Sequence, residues 1–334
     1  MNIAINGFGR IGRQALRIII EKHPDMNVVL INDLTDGETL AHLFEFDSTY
    51  GHFDCGDACY KDGVLVTKHG KIRTTASKDP ATLPHKEMKV DVVLECTGYF
   101  TKRDDAALHL KAGAKKVIIS APCKDTADGT FCIGVNEDTY KPSMDIVSNA
   151  SCTTNCLAPM AKVMNDAFGI EYGLMTTIHS YTNDQNLLDL PHKDLRRARA
   201  AAINMVPTST GAAKAIGLVI PELEGKLNGS AIRVPTPTGS ITDLTVITKK
   251  KTSKEQIIKA FEKAAEGRMK GILKVEKKPL VLHDFVGDPH SCILDAELTQ
   301  VIGDNFVKIF AWYDNEWGYS NRLVELAHYV GSKL

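Results

Sequence analysis

Two cysteines lie four residues apart, Cys152 and Cys156, in the polar stretch Ser148-Asn-Ala-Ser-Cys-Thr-Thr-Asn-Cys156. A short apolar run precedes this stretch and helix-forming residues follow it, so Cys152 is expected to open a helix. Backbone N–H groups in a helix's first turn stabilise a thiolate, which lowers the thiol pKa and makes the sulfur nucleophilic. A metal site needs further Cys or His ligands at matching spacing, and a redox pair usually has C-x-x-C spacing. The pattern favours a reactive thiol at Cys152 and no metal, with two ordinary helix cysteines as the alternative.

A histidine is placed to activate that thiol. His179 ends a predicted strand over residues 173–179 and precedes a long polar segment without a clear period. A lone histidine is usually structural. A strand-end histidine and a helix-start cysteine could however meet, forming the Cys–His pair that activates thiol nucleophiles. We therefore expect His179 to lie beside Cys152.

Two arginines are candidates for binding an anion. Arg197 lies in the polar segment and Arg233 in a β-rich stretch, and a planar guanidinium suits phosphate. Taken one at a time, such residues are more typical of a solvated surface. The residues that could add hydroxyl, carboxylate and backbone groups to the site are Thr182, Asp184, Thr210 and Gly211.

A dinucleotide fingerprint occupies the N-terminal region. Gly7-Phe-Gly-Arg-Ile-Gly12 follows a predicted strand and opens a predicted helix. In this pattern Gly7 permits the tight turn, Gly9 lets a pyrophosphate approach the helix N-terminus, and Gly12 allows close helix packing. Asp33, after the next strand, would accept the ribose hydroxyls and repel a 2′-phosphate, which favours NAD over NADP. Residues that follow later β segments, where adenosine contacts would fall, are Lys78, Thr97, Gly98 and Ser120.

The elements of the first half alternate in type. Predicted strands cover residues 3–5, 28–31, 90–94, 116–119 and 146–147, and predicted helices cover residues 11–20 and 101–111. This alternation indicates an α/β domain with a doubly wound (Rossmann) parallel sheet. Thr101-Lys-Arg-Asp104 resembles a capping box, and Gly113 is placed to end that helix.

The pattern changes near residue 150. A helix is predicted over residues 157–168, and β-rich stretches cover residues 173–179, 230–250 and 305–313. Thr252-Ser-Lys-Glu255 resembles a capping box for a helix that ends before Gly267. At 334 residues the chain exceeds the usual size of one core,. We expect an NAD-binding domain over residues 1–151 and an α+β catalytic domain with a mixed or antiparallel sheet over residues 152–318.

Composition excludes several classes of protein. The net charge of −1 gives no electrostatic reason to expect nucleic acid or an anionic membrane as a partner,. No apolar run approaches the roughly 18 residues of a membrane span, and no secretory signal opens the chain. Its eight cysteines therefore indicate reduced thiols in a cytoplasmic protein,.

Taken together, the chain resembles the phosphorylating, NAD-dependent glyceraldehyde-3-phosphate dehydrogenase family from residue 1 to about residue 330. The motifs that carry the resemblance are Ile5-Asn-Gly-Phe-Gly-Arg-Ile-Gly12, the nine-residue cysteine stretch, Thr177-Ile-His-Ser180, Arg196-Arg-Ala-Arg-Ala200, Pro207-Thr-Ser-Thr-Gly-Ala-Ala-Lys214 and Trp312-Tyr-Asp-Asn-Glu-Trp-Gly-Tyr319.

The resemblance implies a role for each matching residue. Cys152 would be the nucleophile and His179 its base. The implied NAD contacts are Arg10, Ile11, Asp33, Lys78, Ser120 and Asn315, the last holding the nicotinamide amide. The implied contacts of inorganic phosphate are Ser151, Thr153, Thr210 and Gly211, and those of the substrate phosphate are Thr182, Arg197 and Arg233. The resemblance also implies a homotetramer and a C-terminal helix, within residues 319–334, that packs back onto the first domain.

The implied reaction oxidises and phosphorylates an aldehyde. Cys152 would add to glyceraldehyde 3-phosphate as a hemithioacetal, and oxidation with NAD would leave a thioester. Inorganic phosphate would then release 1,3-bisphosphoglycerate, in glycolysis or gluconeogenesis. The alternatives are oxidation of erythrose 4-phosphate by a sister family and a non-catalytic, NAD-binding thiol sensor. Two departures from many relatives, Thr238-Gly239 near Arg233 and Tyr99 near the adenine, bear on the phosphate pocket and on NAD affinity.

Overall fold

The computed structural model describes residues 1–56 and 59–334. Two compact units make up this part of the chain. The first comprises Met1–Phe131, Glu137–Ala150 and Ser320–Leu334, and the second comprises Cys132–Asn136 and Ser151–Tyr319. No helix among the described residues is both long and apolar enough to span a bilayer.

A nine-stranded sheet forms the centre of the first unit. Its helices are α1 (Arg10–Lys22), α2 (Gly37–Glu45) and α3 (Arg103–Lys111). The strands of the unit are β1 (Asn2–Asn6), β2 (Asn27–Asn32), β3 (Phe46–Asp47), β4 (Gly51–His52), β5 (Cys59–Lys61), β6 (Val64–Thr67), β7 (Gly70–Thr75), β8 (Val92–Glu95), β9 (Lys116–Ile119), β10 (Gly129–Thr130) and β11 (Ile146–Ser148). The sheet order is β10-β11-β9-β8-β1-β2-β7-β6-β5, while β3 and β4 pair separately.

The predicted parallel sheet is confirmed. Every neighbouring pair from β10 to β7 is parallel, and only the edge strands β6 and β5 run antiparallel. Sequence reasoning missed β5 to β7: β5 has only three residues, β7 has a single large apolar residue, Ile72, and the apolar run of β6, residues 64–66, was passed over. Since parallel strands end at the same edge, Asn6, Asn32 and Glu95 come together at the carboxyl ends of β1, β2 and β8.

The predicted capping box at α3 is wrong. The helix begins at Arg103, and its N-cap, Lys102, makes no side-chain capping bond. Asp125 Oδ1 accepts instead from the Arg103 N–H at 2.8 Å. An acceptor distant in sequence therefore replaces the local one, and Thr101 is buried. The predicted end of the helix agrees with the structure, because Gly113 follows it with a φ of +105°.

A mixed sheet with helices packed on it forms the second unit. Its helices are α4 (Cys152–Phe168), α5 (Ala212–Val219) and α6 (Lys254–Glu266), and α7 (Trp317–Gly331) begins in it. The strands are β12 (Ile170–Ser180), β13 (Val206–Ser209), β14 (Leu227–Val234), β15 (Ser240–Thr248), β16 (Leu273–Glu276), β17 (Cys292–Asp295), β18 (Gln300–Ile302) and β19 (Phe306–Tyr313). The order is β13-β14-β12-β15-β19-β17-β16, with β18 beside β19. The prediction of a mixed sheet is confirmed, since β12 pairs parallel with β14 and antiparallel with β15.

The capping box of α6 is shifted by one residue from the prediction. Ser253, not Thr252, is the N-cap, and Gln256, not Glu255, completes the box. The Ser253 N–H donates to Gln256 Oε1 at 3.0 Å. Thr252 is buried instead. Thr252 and Ser253 both fit the sequence pattern of an N-cap, and the burial of Thr252 leaves that position to Ser253.

The C-terminal half of α7 belongs to the first unit. There Asn321 Oδ1 accepts from Lys22 Nζ at 2.8 Å, and His328 Nε2 lies 2.9 Å from Asp25 Oδ2. Gly331 packs against Met1, whose sulfur would lie 1.7 Å from a Cβ at that position. The C-terminus of the chain is thus fixed beside its N-terminus.

Two glycines of the fingerprint differ in the space around them. A Cβ at Gly12 would lie 2.2 Å from the Gly7 carbonyl oxygen. Gly9, the N-cap of α1, has a φ of −76°, and a Cβ there would meet no described atom within 4 Å. Gly12 is therefore required for helix packing, whereas Gly9 leaves open space at the helix N-terminus.

Gly12→Ala should destabilise the fold and Gly9→Ala should not. The added methyl at position 12 has to displace backbone, which costs about 1–3 kcal/mol in a packed core. Equilibrium denaturation of both variants and the parent chain measures the effect. Equal stability of the two variants would contradict this account of the packing.

Candidate active site

One row of side chains crosses the mixed sheet of the second unit. His179 on β12 is the register partner of Arg233 on β14 and of Ser240 on β15. Ser240 is in turn the partner of Tyr313 on β19. Because residues in register across a sheet point to the same face, these four side chains share one surface.

Cys152 is the first residue of α4, as predicted. Ser151 is the N-cap, and its hydroxyl oxygen accepts from the Thr154 N–H at 3.0 Å. A serine at this position satisfies one of the backbone donors that a helix start leaves without partners. Ser151 thus fixes the turn that carries the thiol.

The predicted Cys–His contact is present in the structure. Cys152 Sγ lies 3.4 Å from His179 Nε2. The other ring nitrogen, Nδ1, lies 2.7 Å from the Ser180 carbonyl oxygen. Arg233 Nη1, which can only donate, lies 2.8 Å from the same nitrogen, so the two neighbours of Nδ1 call for opposite tautomers,. Nε2 faces the sulfur and is the ring nitrogen within reach of the thiol proton.

Burial sets the protonation of both groups. It raises the pKa of the Cys152 thiol, although Arg233 and the hydroxyl and N–H of Thr153 act in the opposite direction. Burial and Arg233, whose Nη1 lies 2.8 Å from Nδ1, lower the pKa of His179 to about 3. The backbone N–H groups at the helix start lower the thiol pKa, as predicted, but desolvation outweighs them and the net shift is upward,. The pair therefore rests as neutral thiol and neutral imidazole.

A buried tyrosine that sequence reasoning gave no role supports this pair. The Tyr313 hydroxyl lies 2.9 Å from Thr153 Oγ1 and 2.8 Å from Thr177 Oγ1. Its ring meets the His179 ring edge-on, with centroids 6.1 Å apart. Tyr313 thereby links the start of α4 to β12. Its sequence signals were its place at the end of a predicted strand and its position in the motif that begins at Trp312.

The structure brings the predicted anion-binding arginines close to the Cys–His pair. Arg197 donates to Asp184 Oδ2 at 2.7 Å and to Thr208 Oγ1 at 3.0 Å. The Thr182 hydroxyl donates to the other oxygen of Asp184. Burial alone would raise the pKa of Asp184, but the Thr182 hydroxyl and the charges of Arg197 and Arg233 lower it. Asp184 is thus an ionised carboxylate that orients Arg197.

Thr210 and Gly211 lie at the start of α5. The Thr210 hydroxyl oxygen accepts from the Ala212 N–H at 3.2 Å, and Gly211 is the N-cap residue. They follow β13, which pairs with the strand that carries Arg233. The structure describes no direct contact of either residue with Cys152.

Asn315 is held by two serines. Its Oδ1 accepts from Ser180 Oγ at 2.9 Å and from Ser240 Oγ at 3.0 Å. With the oxygen of the amide so engaged, the amide group is fixed in orientation. The serines had no predicted role, since their meeting depends on strand register.

Thr238, Gly239 and Cys156 are built into local structure. Thr238 is buried and donates to Asp314 Oδ1 at 3.1 Å. Gly239 has a φ of +85°, and a Cβ there would lie 2.6 Å from Leu282. Cys156 is also buried, with its sulfur 3.7 Å from the Ala311 carbonyl oxygen. These three residues pack within the unit.

The first unit contains a cavity of about 580 Å³ at the carboxyl ends of its parallel strands. It is lined by Asn6, Gly7, Gly9, Asn32, Asp33, Leu34, Ser77, Lys78, Cys96, Thr97, Tyr99 and Phe100. Ligands of doubly wound sheets bind at this edge. Of the predicted cofactor residues, Gly7, Gly9, Asp33, Lys78 and Thr97 line the cavity.

Asp33 and the glycine turn fit a dinucleotide. Asp33 Oδ2 accepts from the Phe8 N–H at 2.7 Å, and Oδ1 accepts from the Thr35 N–H at 2.9 Å. The carboxylate is thus fixed between β2 and the glycine turn, and the open space at Gly9 suits a pyrophosphate,.

Four other predicted cofactor residues of the first unit, Arg10, Ile11, Gly98 and Ser120, are not among the residues that line the cavity. Arg10 is the first residue of α1, and its guanidinium pairs with Asp47. Ile11 follows in the first turn of α1. Gly98 has a φ of +73° next to Tyr99, which is 82% exposed. Ser120 hydrogen-bonds Cys96, whose burial raises its pKa to about 12.

One group among residues 1–56 and 59–334 has the composition of a metal site. His23, Asp25 and His328 of the first unit have ligand atoms that all lie within 4.8 Å of one another. The hydrogen bond between Asp25 and His328 accounts for this arrangement. None of the predicted site residues belongs to the group.

Comparison with known proteins places both regions in one family. Family models of the glyceraldehyde 3-phosphate dehydrogenase NAD binding domain and C-terminal domain match residues 1–103 and 151–315. The chain is similar to glyceraldehyde-3-phosphate dehydrogenase of Mycobacterium tuberculosis, with 58% identity over 339 residues that span 100% of this chain and 99% of the relative. It is also similar to the Geobacillus stearothermophilus protein of that name, with 54% identity over 334 residues and the same coverage of both chains.

His179→Asn should slow alkylation of Cys152 by iodoacetamide at neutral pH. Burial raises the thiol pKa, so without the imidazole as proton acceptor the thiolate forms only at higher pH, and the rate profile should shift upward in pH. His192→Asn is the matched control, because His192 bonds Asp194 within the same loop. An identical profile for parent and His179→Asn chains would refute the role of Nε2.

Proposed function

The chain belongs to the glyceraldehyde-3-phosphate dehydrogenase family, and from that premise we propose that it converts D-glyceraldehyde 3-phosphate, NAD+ and inorganic phosphate to 1,3-bisphosphoglycerate and NADH. This is a reaction of glycolysis and, in reverse, of gluconeogenesis. The observation that carries the proposal is the 3.4 Å contact of Cys152 Sγ with His179 Nε2 beside Arg233.

Cys152 is the proposed nucleophile and His179 the proposed base. The sulfur attacks the aldehyde carbon as its proton passes to Nε2, and a carbon–sulfur bond forms while the carbonyl oxygen gains a proton. Bound NAD+ supplies the acceptor for the hydride. The hemithioacetal loses its hydroxyl proton to His179 as it is oxidised, and a thioester on Cys152 remains.

Phosphate completes the proposed reaction. An oxygen of inorganic phosphate attacks the thioester carbon, the carbon–sulfur bond breaks, and Cys152 leaves as a thiolate that regains a proton. Arg233 and the Thr153 N–H and hydroxyl stabilise that thiolate, since each favours the charged form of the sulfur. The groups around Cys152 therefore favour its departure as a thiolate.

The phosphates are proposed to bind around the Cys–His pair. Thr182, Arg197 and Arg233 would hold the substrate phosphate, with Asp184 orienting Arg197. Ser151, Thr153, Thr210 and Gly211 would hold inorganic phosphate. The helix starts that carry these four residues offer N–H donors suited to an anion.

NAD is proposed to occupy the cavity of the first unit. Gly7, Gly9, Gly12, Arg10 and Ile11 form the turn and helix start for the pyrophosphate, and Asp33 would accept the ribose hydroxyls. The adenosine would contact Lys78, Thr97, Gly98 and Ser120. Asn315, whose amide is oriented by Ser180 and Ser240, is the proposed partner of the nicotinamide amide. Residues 1–151 with the helix in 319–334 thus form the proposed NAD domain, and 152–318 the catalytic domain.

NADH formation from glyceraldehyde 3-phosphate tests the proposal. The rate should depend on inorganic phosphate, fall when NADP+ replaces NAD+ because of Asp33, and vanish in Cys152→Ser, which keeps NAD binding. Erythrose 4-phosphate is the comparison substrate. Faster, phosphate-independent turnover of erythrose 4-phosphate would overturn the substrate assignment, and NAD binding without any aldehyde oxidation would indicate a thiol sensor.

We further propose a homotetramer in the cytoplasm. The second unit exposes large apolar side chains that a self-assembly interface would bury: Leu187, Leu188, Leu190, Leu195, Ile203 and Met205 are 59–82% exposed,. No disulfide links the eight cysteines within the described residues, in keeping with a reducing compartment,.

Light scattering should give a mass about four times that of the chain. Leu195→Asp should lower that mass, because a charge in a buried interface is costly. Leu174→Asp is the comparison variant, because Leu174 is an exposed residue of β12 and lies outside residues 187–205. A monomer in the parent chain would refute the assembly.

A further inference from the structure

A buried carboxylate lies beneath the cavity of the first unit. Glu95, the last residue of β8, is 1% exposed. Its register partner on β1 is Asn6, whose partner on β2 is Asn32, and Asn32 is paired with Thr75 on β7. We call Glu95, Asn6, Asn32 and Thr75 the carboxyl-end row, because they cross four parallel strands at their carboxyl ends.

Hydrogen bonds connect this row from end to end. Asn6 Nδ2 donates to Glu95 Oε2 at 2.6 Å, and Asn32 Nδ2 donates to Asn6 Oδ1 at 2.7 Å. The Thr75 hydroxyl donates to Asn32 Oδ1 at 2.9 Å. Since Asn6 and Asn32 line the cavity, the row forms part of its floor.

Four donors converge on the Glu95 carboxylate. Asn6 Nδ2 and His109 Nε2, at 3.0 Å, approach Oε2. The Thr97 N–H, at 2.8 Å, and the Thr97 hydroxyl donate to Oε1. Asn6 Nδ2 and the Thr97 N–H can only donate, so both carboxyl oxygens of Glu95 act as acceptors in this arrangement,.

Two histidines stand behind the carboxylate. His109 Nδ1 on α3 lies 3.0 Å from His85 Nε2, and both rings are fully buried. Burial and the neighbouring His109 lower the pKa of His85 to about 4. His85 therefore stays neutral at physiological pH and holds the His109 ring, which directs Nε2 at Glu95. Cys96 is the other titratable group beside Glu95.

Glu95 also fixes the turn that follows its strand. Through Thr97 it holds residues 97–99, since the Thr97 hydroxyl oxygen accepts from the Tyr99 N–H at 3.0 Å. This turn touches the glycine turn after β1: a Cβ at Gly7 would lie 2.7 Å from the Thr97 nitrogen. The two turns that line the cavity therefore have no room to shift independently.

We propose that Glu95 is a positioning residue for the dinucleotide, with its carboxylate holding Asn6 and the 97–99 turn in place and His109 holding the carboxylate. The inference rests on the proposed function, because it assigns NAD to this cavity. Glu95 contacts the cavity wall and not the ligand, so its loss should weaken NAD binding and leave the chemistry on Cys152 unchanged.

Glu95→Gln tests the proposal, since it keeps the shape but sets an amide N–H₂ against donors. NAD affinity is measured by calorimetric titration, and the KM for NAD and kcat by NADH formation. We expect the dissociation constant and the KM to rise about tenfold or more, in line with the loss of charged hydrogen bonds. The kcat at saturating NAD and the alkylation rate of Cys152 should not change. Thr101→Val, a nearly isosteric change at a buried site in the same loop, should leave all four quantities at parent values.

His109→Asn provides a second variant that keeps the carboxylate. Its shorter amide cannot reach Glu95, so NAD binding should weaken in the same direction. The double variant with Glu95→Gln should bind no more weakly than Glu95→Gln alone, because both changes act through one group. This comparison remains decisive if Glu95→Gln fails to fold, since His109→Asn at parent affinity would then refute the proposal.

The outcomes separate the two proposals. Unchanged NAD affinity in Glu95→Gln, or a lower kcat with an unchanged KM, would overturn the positioning role while leaving the proposed function in place. A parent chain that does not bind NAD would overturn the proposed function itself.

Discussion

The register of β12 against its two neighbours is the constraint on which the Cys–His site depends. It places His179 between Arg233 and Ser240. Arg233 lowers the pKa of the His179 ring, and Ser240 donates to Asn315 and is the register partner of Tyr313. The next row holds Ile178, paired with Ile232 and Ile241. A slip of one residue would turn His179 to the opposite face and bring isoleucine to Cys152. The function thus requires the sheet to form in a single register.

Sequence reasoning succeeded where the signal is local. The glycine turn, the start of α4 and the strand-end position of His179 are each determined by residues within a few positions. It failed where the signal depends on distant packing. Tyr313 and Ser240 meet their partners only through strand pairing, the cap of α3 comes from Asp125 across the unit, and burial reverses the expected shift of the Cys152 pKa.

Both units hold buried polar side chains in place with hydrogen-bond networks. In each unit polar side chains at or near strand ends are hydrogen-bonded to one another. Asn32 donates to Asn6 and Asn6 to Glu95, while Ser180 and Ser240 both donate to Asn315. Buried polar groups are costly unless they are satisfied, so each such network has essentially one low-energy arrangement. That uniqueness fixes the position of groups that a ligand can contact.

A neutral Cys–His pair suits the role proposed for Cys152, whose sulfur would both attack and leave. A thiol with a permanently low pKa would be ionised without substrate, and its nucleophilicity would fall with its basicity. Burial instead keeps the proton on sulfur until an electrophile arrives, when Nε2 can accept it over 3.4 Å. The reverse step needs a stabilised thiolate, and Arg233 and Thr153 act in that direction. Desolvation and local charge thus oppose each other at Cys152, and the two halves of the proposed acyl transfer make opposite demands on that atom.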